Sequence, residues 1–99
     1  MTIAEILPLV HQKAANAAAL GNTLRFDLGD DSIHVDGTGD SNVVTTDKKD
    51  ADCTVTSSHE VFHQLLTGDL NPMAAVMSGQ VKIAGDMSVA MKLPAIFNS

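Results

Sequence analysis

The chain has 99 residues, of which 44% are hydrophobic and 18% are charged, and its formal net charge is −6. This length and composition predict one globular domain over residues 1–99, with little room for a second hydrophobic core. Nucleic-acid binding and strong docking on anionic membranes both need clustered cations, and the six Lys and Arg residues are scattered, so we expect no nucleic-acid partner and weak or no membrane docking.

The first predicted element is a helix from Thr2 to a stop signal at Gly21. Thr2 and Glu5 have the spacing of a capping box, and apolar residues recur along one helix face from Ile3 onward. Pro8 falls inside this pattern, so we expect it to kink the helix or to move its start. No basic leader precedes the apolar stretch, which predicts a helix of the mature domain and not a secretory signal.

Four strands are predicted next, because the hydrophobic period changes from helical to alternating. The segments are TLRFDLG, SIHVDG, NVVTT and CTVTS, separated by short polar connections. Successive strands with short connections predict an antiparallel meander with one solvated face. The fourth strand carries Cys53, the only cysteine of the chain, which excludes an internal disulfide and favours a reducing, cytoplasmic location.

The remainder of the chain returns to helical signals around one more strand. A helix is predicted from the capping-box motif SSHE to Gly68, and the dipeptide NP begins a second, short helix. The segment QVKIAG predicts a fifth strand, and a last helix should run from Met87 to about Phe97, with Pro94 as a possible kink. This order predicts an α+β fold, in which helices cover one face of a five-stranded, mostly antiparallel sheet.

Methionines are concentrated in the C-terminal third of the chain. Four of the five lie in two pairs at helical i,i+4 spacing, Met73 with Met77 and Met87 with Met91. Methionine is flexible and polarizable, so it fills irregular space and packs against variable apolar partners. The two pairs can therefore close a soft core, which composition alone favours, or line a pocket for an apolar molecule.

Between residues 47 and 93 a series of short motifs follows one another in a distinctive order. They are Ala51-Asp52-Cys53-Thr54, Leu66-Thr67-Gly68, Leu70-Asn71-Pro72, Ser78-Gly79, Lys82-Ile83, Gly85-Asp86-Met87 and Ala90-Met91-Lys92-Leu93. In order and spacing they resemble the C-terminal half of the sterol carrier protein-2 domain. The first half of the chain resembles that domain only in its pattern of a leading helix and a strand meander.

The resemblance implies a five-stranded sheet, helices on one face, and an apolar tunnel between sheet and helices. Members of the family bind fatty acyl chains, acyl-CoA, phospholipids or sterols without chemical change, and some are accessory factors in quinone synthesis. Carried onto this sequence, the implied tunnel residues are Phe26, Ile33, Phe62, Leu66, Met73, Val76, Met77, Ile83, Met87, Met91 and, near the mouth, Phe97. The tight meander turns imply a smaller cavity than that of the longer animal forms.

We therefore expect non-catalytic binding of an apolar lipid, such as a fatty acyl chain, a sterol-like lipid or an isoprenoid quinone, without a metal or cofactor. Transfer of the lipid between membranes stays open. An alternative function is an accessory or scaffold module with a closed cavity, whose apolar mouth binds a protein partner or a second copy of the chain.

A third function, zinc-dependent hydrolysis, is raised by the sequence HEVFH, which matches H-E-x-x-H. On a helix, His59 and His63 would share a face and could bind zinc, with Glu60 as general base. A catalytic zinc needs a third protein ligand, and no His or Glu follows His63. The predicted capping box would also occupy Glu60, so the favoured interpretation is chance occurrence on a solvated helix face.

Overall fold

The computed structural model of the protein describes residues 2–97, so residues 1, 98 and 99 of the predicted domain lie outside the described residues. The elements are α1 (Ile3–Asn16), β1 (Thr23–Asp27), β2 (Ser32–Asp36), β3 (Val43–Thr45), β4 (Cys53–Thr56), α2 (His59–Thr67), α3 (Pro72–Met77), β5 (Lys82–Gly85), α4 (Met87–Ala90) and α5 (Leu93–Phe97). The helices and the five strands occur in the predicted order, and the α+β fold is confirmed.

The five strands form one sheet in the order β3-β2-β1-β4-β5. Three of the four strand pairs are antiparallel, and β4 pairs with β1 in parallel, with Leu24 opposite Cys53. A mostly antiparallel sheet is therefore correct, but the predicted simple meander is wrong at β4. The connection over residues 46–52 carries the chain from the β3 edge past β2 and β1 to the far side of β1.

The parallel register is held at its start by a pair of side chains distant in sequence. Thr23 donates its backbone N–H to Asp52 Oδ2 at 3.1 Å, and its Oγ1 accepts the backbone N–H of Asp52 at 2.9 Å. These reciprocal hydrogen bonds lie one residue before the Leu24–Cys53 pair. They hold the start of β4 beside β1. The hydrophobic alternation within β1 or β4 could not have predicted that these two strands pair.

Helix α1 begins after Thr2, as predicted, and continues through the exposed Pro8. Its buried face consists of Ile6, Val10 and Ala14, which lie on both sides of the proline, and Ile6 and Val10 pack in the hydrophobic core. The burial of this face offsets the backbone hydrogen bond that proline cannot donate. Pro8 therefore does not move the start of the helix.

The end of α1 lies at Asn16, several residues before the predicted stop at Gly21. Ala17 is already extended, and the free carbonyl groups at this end are satisfied from a distant part of the chain. Asn42 Nδ2 lies 3.2 Å from the carbonyl oxygen of Ala14 and 3.1 Å from that of Ala18. A side chain from the β2–β3 connection thus caps the helix, which no local sequence signal could indicate.

The hydrophobic core lies between the sheet and the helices, and an aromatic cluster forms its centre. The ring centroids of Phe26 on β1 and Phe62 on α2 are 4.6 Å apart, and Phe97 on α5 lies 5.9 Å from Phe26 and 6.0 Å from Phe62. Each of the three rings is buried. They join the sheet, α2 and α5 in one packed unit.

Cys53 on β4 is also fully buried, as predicted for a small apolar core residue. Burial, and to a smaller extent the negative charge of Asp86, raises the pKa of the Cys53 thiol. The thiol is therefore both inaccessible and protonated at neutral pH.

The predicted last helix is two short helices, α4 and α5, separated by a turn at residues 91–92. Pro94 lies in the first turn of α5 and has no N–H to continue the hydrogen bonding of α4. The interruption lets Leu93, Ile96 and Phe97 enter the core.

Candidate functional site

An apolar cleft lies between α3, β5, α4 and the start of α5. It is lined by Pro72, Met73, Val76, Ile83, Met87, Ala90, Met91 and Leu93. None of these eight residues has a polar side chain, and the cleft encloses about 60 Å³. Chemically, such a surface can bind hydrocarbon through burial and dispersion, but it offers no side-chain group for acid–base or nucleophilic catalysis.

Helix α3 forms one wall of the cleft, and its start follows the predicted signals. Asn71 Oδ1 accepts the backbone N–H groups of Met73 at 2.9 Å and Ala74 at 3.3 Å, and Pro72 occupies the first helical position. Ala75 is fully buried and anchors the helix against the core. Met73 and Val76 then line the cleft.

The opposite wall is built where β5 turns into α4. Gly85 has a φ of +104°, and a Cβ at this position would lie 2.5 Å from the carbonyl oxygen of Asp52. Only glycine fits this conformation and this close approach. Ile83, which lies opposite Val55 in the β5 ladder, and Met87, at the start of α4, both line the cleft on this side.

Asp86 caps α4 and sets its position. Its Oδ1 accepts the Ser88 hydroxyl at 2.6 Å and the Ser88 backbone N–H at 2.9 Å. These hydrogen bonds, from the Ser88 side chain first and its backbone second, lower the pKa of the Asp86 carboxyl below 3.8. The charged form of Asp86 therefore holds one wall of the cleft in place.

The Asp86→Asn substitution tests this cap through its pH dependence. Asparagine can accept the same hydrogen bonds but carries no charge, so wild type should be the more stable protein at neutral pH. Because the pKa is lowered in the folded state, this advantage is fully present above 3.8 and is lost as the pH falls through the folded value. Urea unfolding of both proteins between neutral and acidic pH should show the difference shrinking, whereas a constant difference would contradict the charge effect.

A second, more polar groove adjoins the cleft beyond α3. It encloses about 250 Å³ and is lined by Leu65, Gly68, Leu70, Asn71, Pro72, Met73 and Pro94. Pro72 and Met73 border both spaces. The side chain of Met73 therefore stands at the boundary between the cleft and the groove.

The sequence as a whole matches the model of one protein family, described as the SCP-2 sterol transfer family, over residues 3–98. The chain belongs to the SCP-2 sterol transfer family. The resemblance drawn from the motifs of residues 47–93 is thereby confirmed, and it extends to the first half of the chain.

Individual proteins of known identity match a shorter part of the chain than the family model does. Human sterol carrier protein 2 is 44% identical over 55 residues, which is 56% of this chain and 10% of the human protein. Bovine hydroxysteroid dehydrogenase-like protein 2 is 40% identical over 48 residues, which is 48% of this chain and 12% of that protein. The match thus spans about a tenth of the length of these relatives.

Solved structures share the SCP-2 fold at low sequence identity. Apo sterol carrier protein 2 from Yarrowia lipolytica has a TM-score of 0.74 at 23% identity, covering 94% of this chain and 87% of that one. Palmitated SCP2L2 from Aedes aegypti has a TM-score of 0.71 at 18% identity and covers 100% and 96% of the two chains. The ubiquinone synthesis protein UbiJ-SCP2 has a TM-score of 0.70 at 23% identity, with 96% and 91% covered.

Ten of the eleven residues predicted to line an SCP-2 tunnel lie either in the packed core or at the open cleft. Phe26, Ile33, Phe62, Leu66 and Phe97 are buried in the packed core. Met73, Val76, Ile83, Met87 and Met91 line the open cleft. Met77 belongs to neither group, and the cleft includes Pro72, Ala90 and Leu93, which the sequence reasoning missed although Ala90 and Leu93 lie beside Met91.

Of the two roles predicted for the methionine pairs, the soft core, which composition alone favoured, is not what the structure shows. Met73, Met77, Met87 and Met91 are exposed by 54%, 86%, 58% and 77%. The reason is that α3 and α4 are short and are anchored through small residues such as Ala75. The long thioether side chains are left at the rim, and whether they contact a ligand stays a prediction.

The H-E-x-x-H motif begins α2, and its first histidine contacts a carboxylate. His59 Nε2 lies 2.7 Å from Asp31 Oδ2 in the turn between β1 and β2. Ser58 is the N-cap and accepts the Val61 N–H at 3.1 Å. Glu60 is therefore the second helical residue and Val61 the third, so the predicted capping box with Glu60 in third position does not form. Within residues 2–97 no three His, Cys, Asp or Glu side chains are placed to ligate one metal ion.

None of the helices within residues 2–97 combines the length and the hydrophobicity that a membrane span requires.

Proposed function

We propose that this SCP-2 domain, residues 1–99, binds an apolar lipid without catalysis, and that the hydrocarbon part of the lipid enters the cleft between α3, β5 and α4. The observation that carries the proposal is a lining of eight apolar residues, three of them flexible methionines. Membership of a family described by sterol transfer supports the same function. The buried, free thiol of Cys53 supports a location in the reducing cytoplasm.

Binding requires the cleft to widen, because its volume of about 60 Å³ is far below the roughly 300–1,000 Å³ of ordinary small-molecule sites. Met73 is the element that we expect to move, since it separates the cleft from the adjoining groove of about 250 Å³. An unbranched thioether side chain changes rotamer at low cost. With Met73 displaced, the two spaces would join and approach the size of an ordinary site.

We expect the ligand class to be set by its hydrocarbon portion. The lining has no charge, so a polar headgroup would remain in water at the mouth of the cleft. A fatty acyl chain fits this arrangement best, and the palmitated state of the Aedes aegypti structure supports it. An isoprenoid quinone is the next candidate, supported by the ubiquinone synthesis protein among the structural neighbours.

The energetics of such binding are sufficient for a carrier. Full burial of a chain of about sixteen methylenes would contribute roughly 13 kcal/mol, at about 0.8 kcal/mol each. Association and ordering costs of several kcal/mol reduce this to an affinity on the order of micromolar. Such an affinity permits both uptake and release of the lipid.

Native mass spectrometry of the purified protein tests the proposal. We expect an added mass that organic extraction removes and that returns when palmitate is supplied. Identification of the extracted lipid by mass would then define the ligand class. Protein that purifies without lipid and takes up neither palmitate nor a neutral sterol would contradict lipid binding.

The second candidate function is an accessory module whose apolar cleft mouth contacts a protein partner or a second copy of the chain. The exposure of Met77 and Met91, 86% and 77%, is the observation that favours it. The same mass spectra separate the two functions, because lipid-free protein in a stable dimer supports the second candidate. A monomer with bound lipid supports the first.

A further inference from the structure

We propose that Met73, Met87 and Met91 form a site of reversible oxidation by peroxide, and that their sulfoxides switch off lipid binding at the cleft. The inference rests on the proposed lipid-binding function and adds its regulation.

Access to the sulfur atoms is the first observation. The side chains of Met73, Met87 and Met91 are exposed by 54%, 58% and 77%, and all three line the same cleft. Oxidation of thioether sulfur follows exposure. A cluster of three exposed thioethers around one apolar surface is therefore a target that a small oxidant in solution can reach.

The chemistry is a two-electron oxygen transfer. The thioether sulfur attacks one oxygen of hydrogen peroxide, an S–O bond forms as the O–O bond breaks, and the second oxygen leaves as water after a proton shift within the peroxide. Sulfur is oxidised and peroxide is reduced. Methionine sulfoxide reductases reverse the reaction with a thiol reductant, one enzyme for each sulfoxide epimer.

The one thiol within residues 2–97 is protected from peroxide. Cys53 is fully buried, and burial raises the pKa of its thiol, so it offers neither access nor thiolate. The buried core of residues 2–97 contains no methionine. Peroxide should therefore modify the cleft and the exposed Met77 before it damages the packed interior.

The consequence for binding follows from the lining of the cleft. A sulfoxide is a strong hydrogen-bond acceptor, and none of the eight lining side chains carries a donor. A bound hydrocarbon would strip water from the S=O group without giving it a partner, which opposes binding. We expect at least about a tenfold weaker affinity once one cleft sulfoxide has formed.

Met77 provides the matched control, because it is 86% exposed but does not line the cleft. The triple variant M73L/M87L/M91L keeps Met77 as an oxidisable surface thioether and removes the three cleft sulfur atoms. The single variant M77L keeps all three. Each variant is compared only with its own unoxidised form, whatever the affinity of that form.

The experiment titrates wild type and both variants with dansyl-undecanoic acid, before and after hydrogen peroxide treatment and its removal by catalase. Peptide mass spectrometry locates the sulfoxides, and urea unfolding reports stability. We expect wild type and M77L to lose affinity by about tenfold or more, the triple variant to keep its own affinity, and both reductases together to restore wild-type binding.

The outcomes separate this inference from the proposed function. Unoxidised wild type that binds neither this probe nor palmitate overturns both. Oxidised wild type that binds as tightly as the unoxidised protein overturns the switch alone. An equal loss in the triple variant, or a loss that is matched by a fall in the urea midpoint, also overturns it, because the effect then arises outside the cleft or from damaged folding.

Discussion

The Phe62→Ala substitution should lower the free energy of unfolding by about 3–5 kcal/mol, the cost of removing a large aromatic side chain from a packed core. Phe62 is fully buried and its ring contacts those of Phe26 and Phe97, at centroid distances of 4.6 Å and 6.0 Å. The loss should be large because the ring joins α2 to both the sheet and α5. Urea unfolding at neutral pH gives the value.

Two further variants of α2 show whether the loss comes from packing. Phe62→Leu keeps most of the volume and should cost less than about 1.5 kcal/mol, and Thr67→Ala, at an exposed position, should stay within about 0.5 kcal/mol. A loss of under about 1 kcal/mol for Phe62→Ala would mean that the space around Phe62 is loosely filled. That result would move the lipid site from the rim of the cleft into the interior.

The Met73→Asp substitution should weaken lipid binding by about a hundredfold or more, because a carboxylate cannot be covered by hydrocarbon without a large desolvation cost. Met73 borders both the cleft and the adjoining groove. Folding should change little, since the side chain is 54% exposed and an acidic residue is favourable in the first turn of a helix. Titration with a fluorescent neutral sterol and with dansyl-undecanoic acid measures the loss.

Ala74→Asp is the matched control for this effect. Ala74 is the next residue of α3, is exposed, and does not line the cleft or the groove. It adds the same charge to the same helical turn, so any repulsion of an anionic probe is shared by both variants. An equal loss in the two variants would show that charge near α3, and not contact at Met73, controls binding.

Much of the fold could be predicted because its signals are local. Alternating apolar residues define β1 and β2, Ser58 and Asn71 cap their helices within three residues, and Gly68 ends α2 with a φ of +85°. Each signal depends on backbone geometry over a few neighbouring residues. Two of these signals, Gly68 and Asn71, also belong to the family motifs, so the resemblance and the local signals agreed on this part of the fold.

The errors arose where residues distant in sequence decide the structure. The Asn42 side chain caps α1, and the hydrogen bonds between Thr23 and Asp52 place β4 beside β1. The sequence separation between Asn42 and the end of α1, or between Thr23 and Asp52, matches no known local motif, so neither interaction could be predicted from the sequence. The predicted antiparallel meander and the predicted end of α1 failed for this reason.

The methionines show the same limit at the candidate site. Spacing by four residues places Met73 with Met77, and Met87 with Met91, on common helix faces, and this follows from helical geometry alone. The face that is buried is decided by the packing of the small residues Ala75 and Ala90 in the core, against side chains from other elements.

The amino-acid sequence by itself determined the family, the order of helices and strands, and an apolar C-terminal segment rich in methionine, because these depend on residue type and short spacing. The tertiary structure decided that the aromatic residues fill the interior while the methionines stand at the rim of an open cleft. The physical reason is that burial depends on how the elements pack against one another. The sequence shows which side chains are apolar, but not which of them are buried in the folded protein.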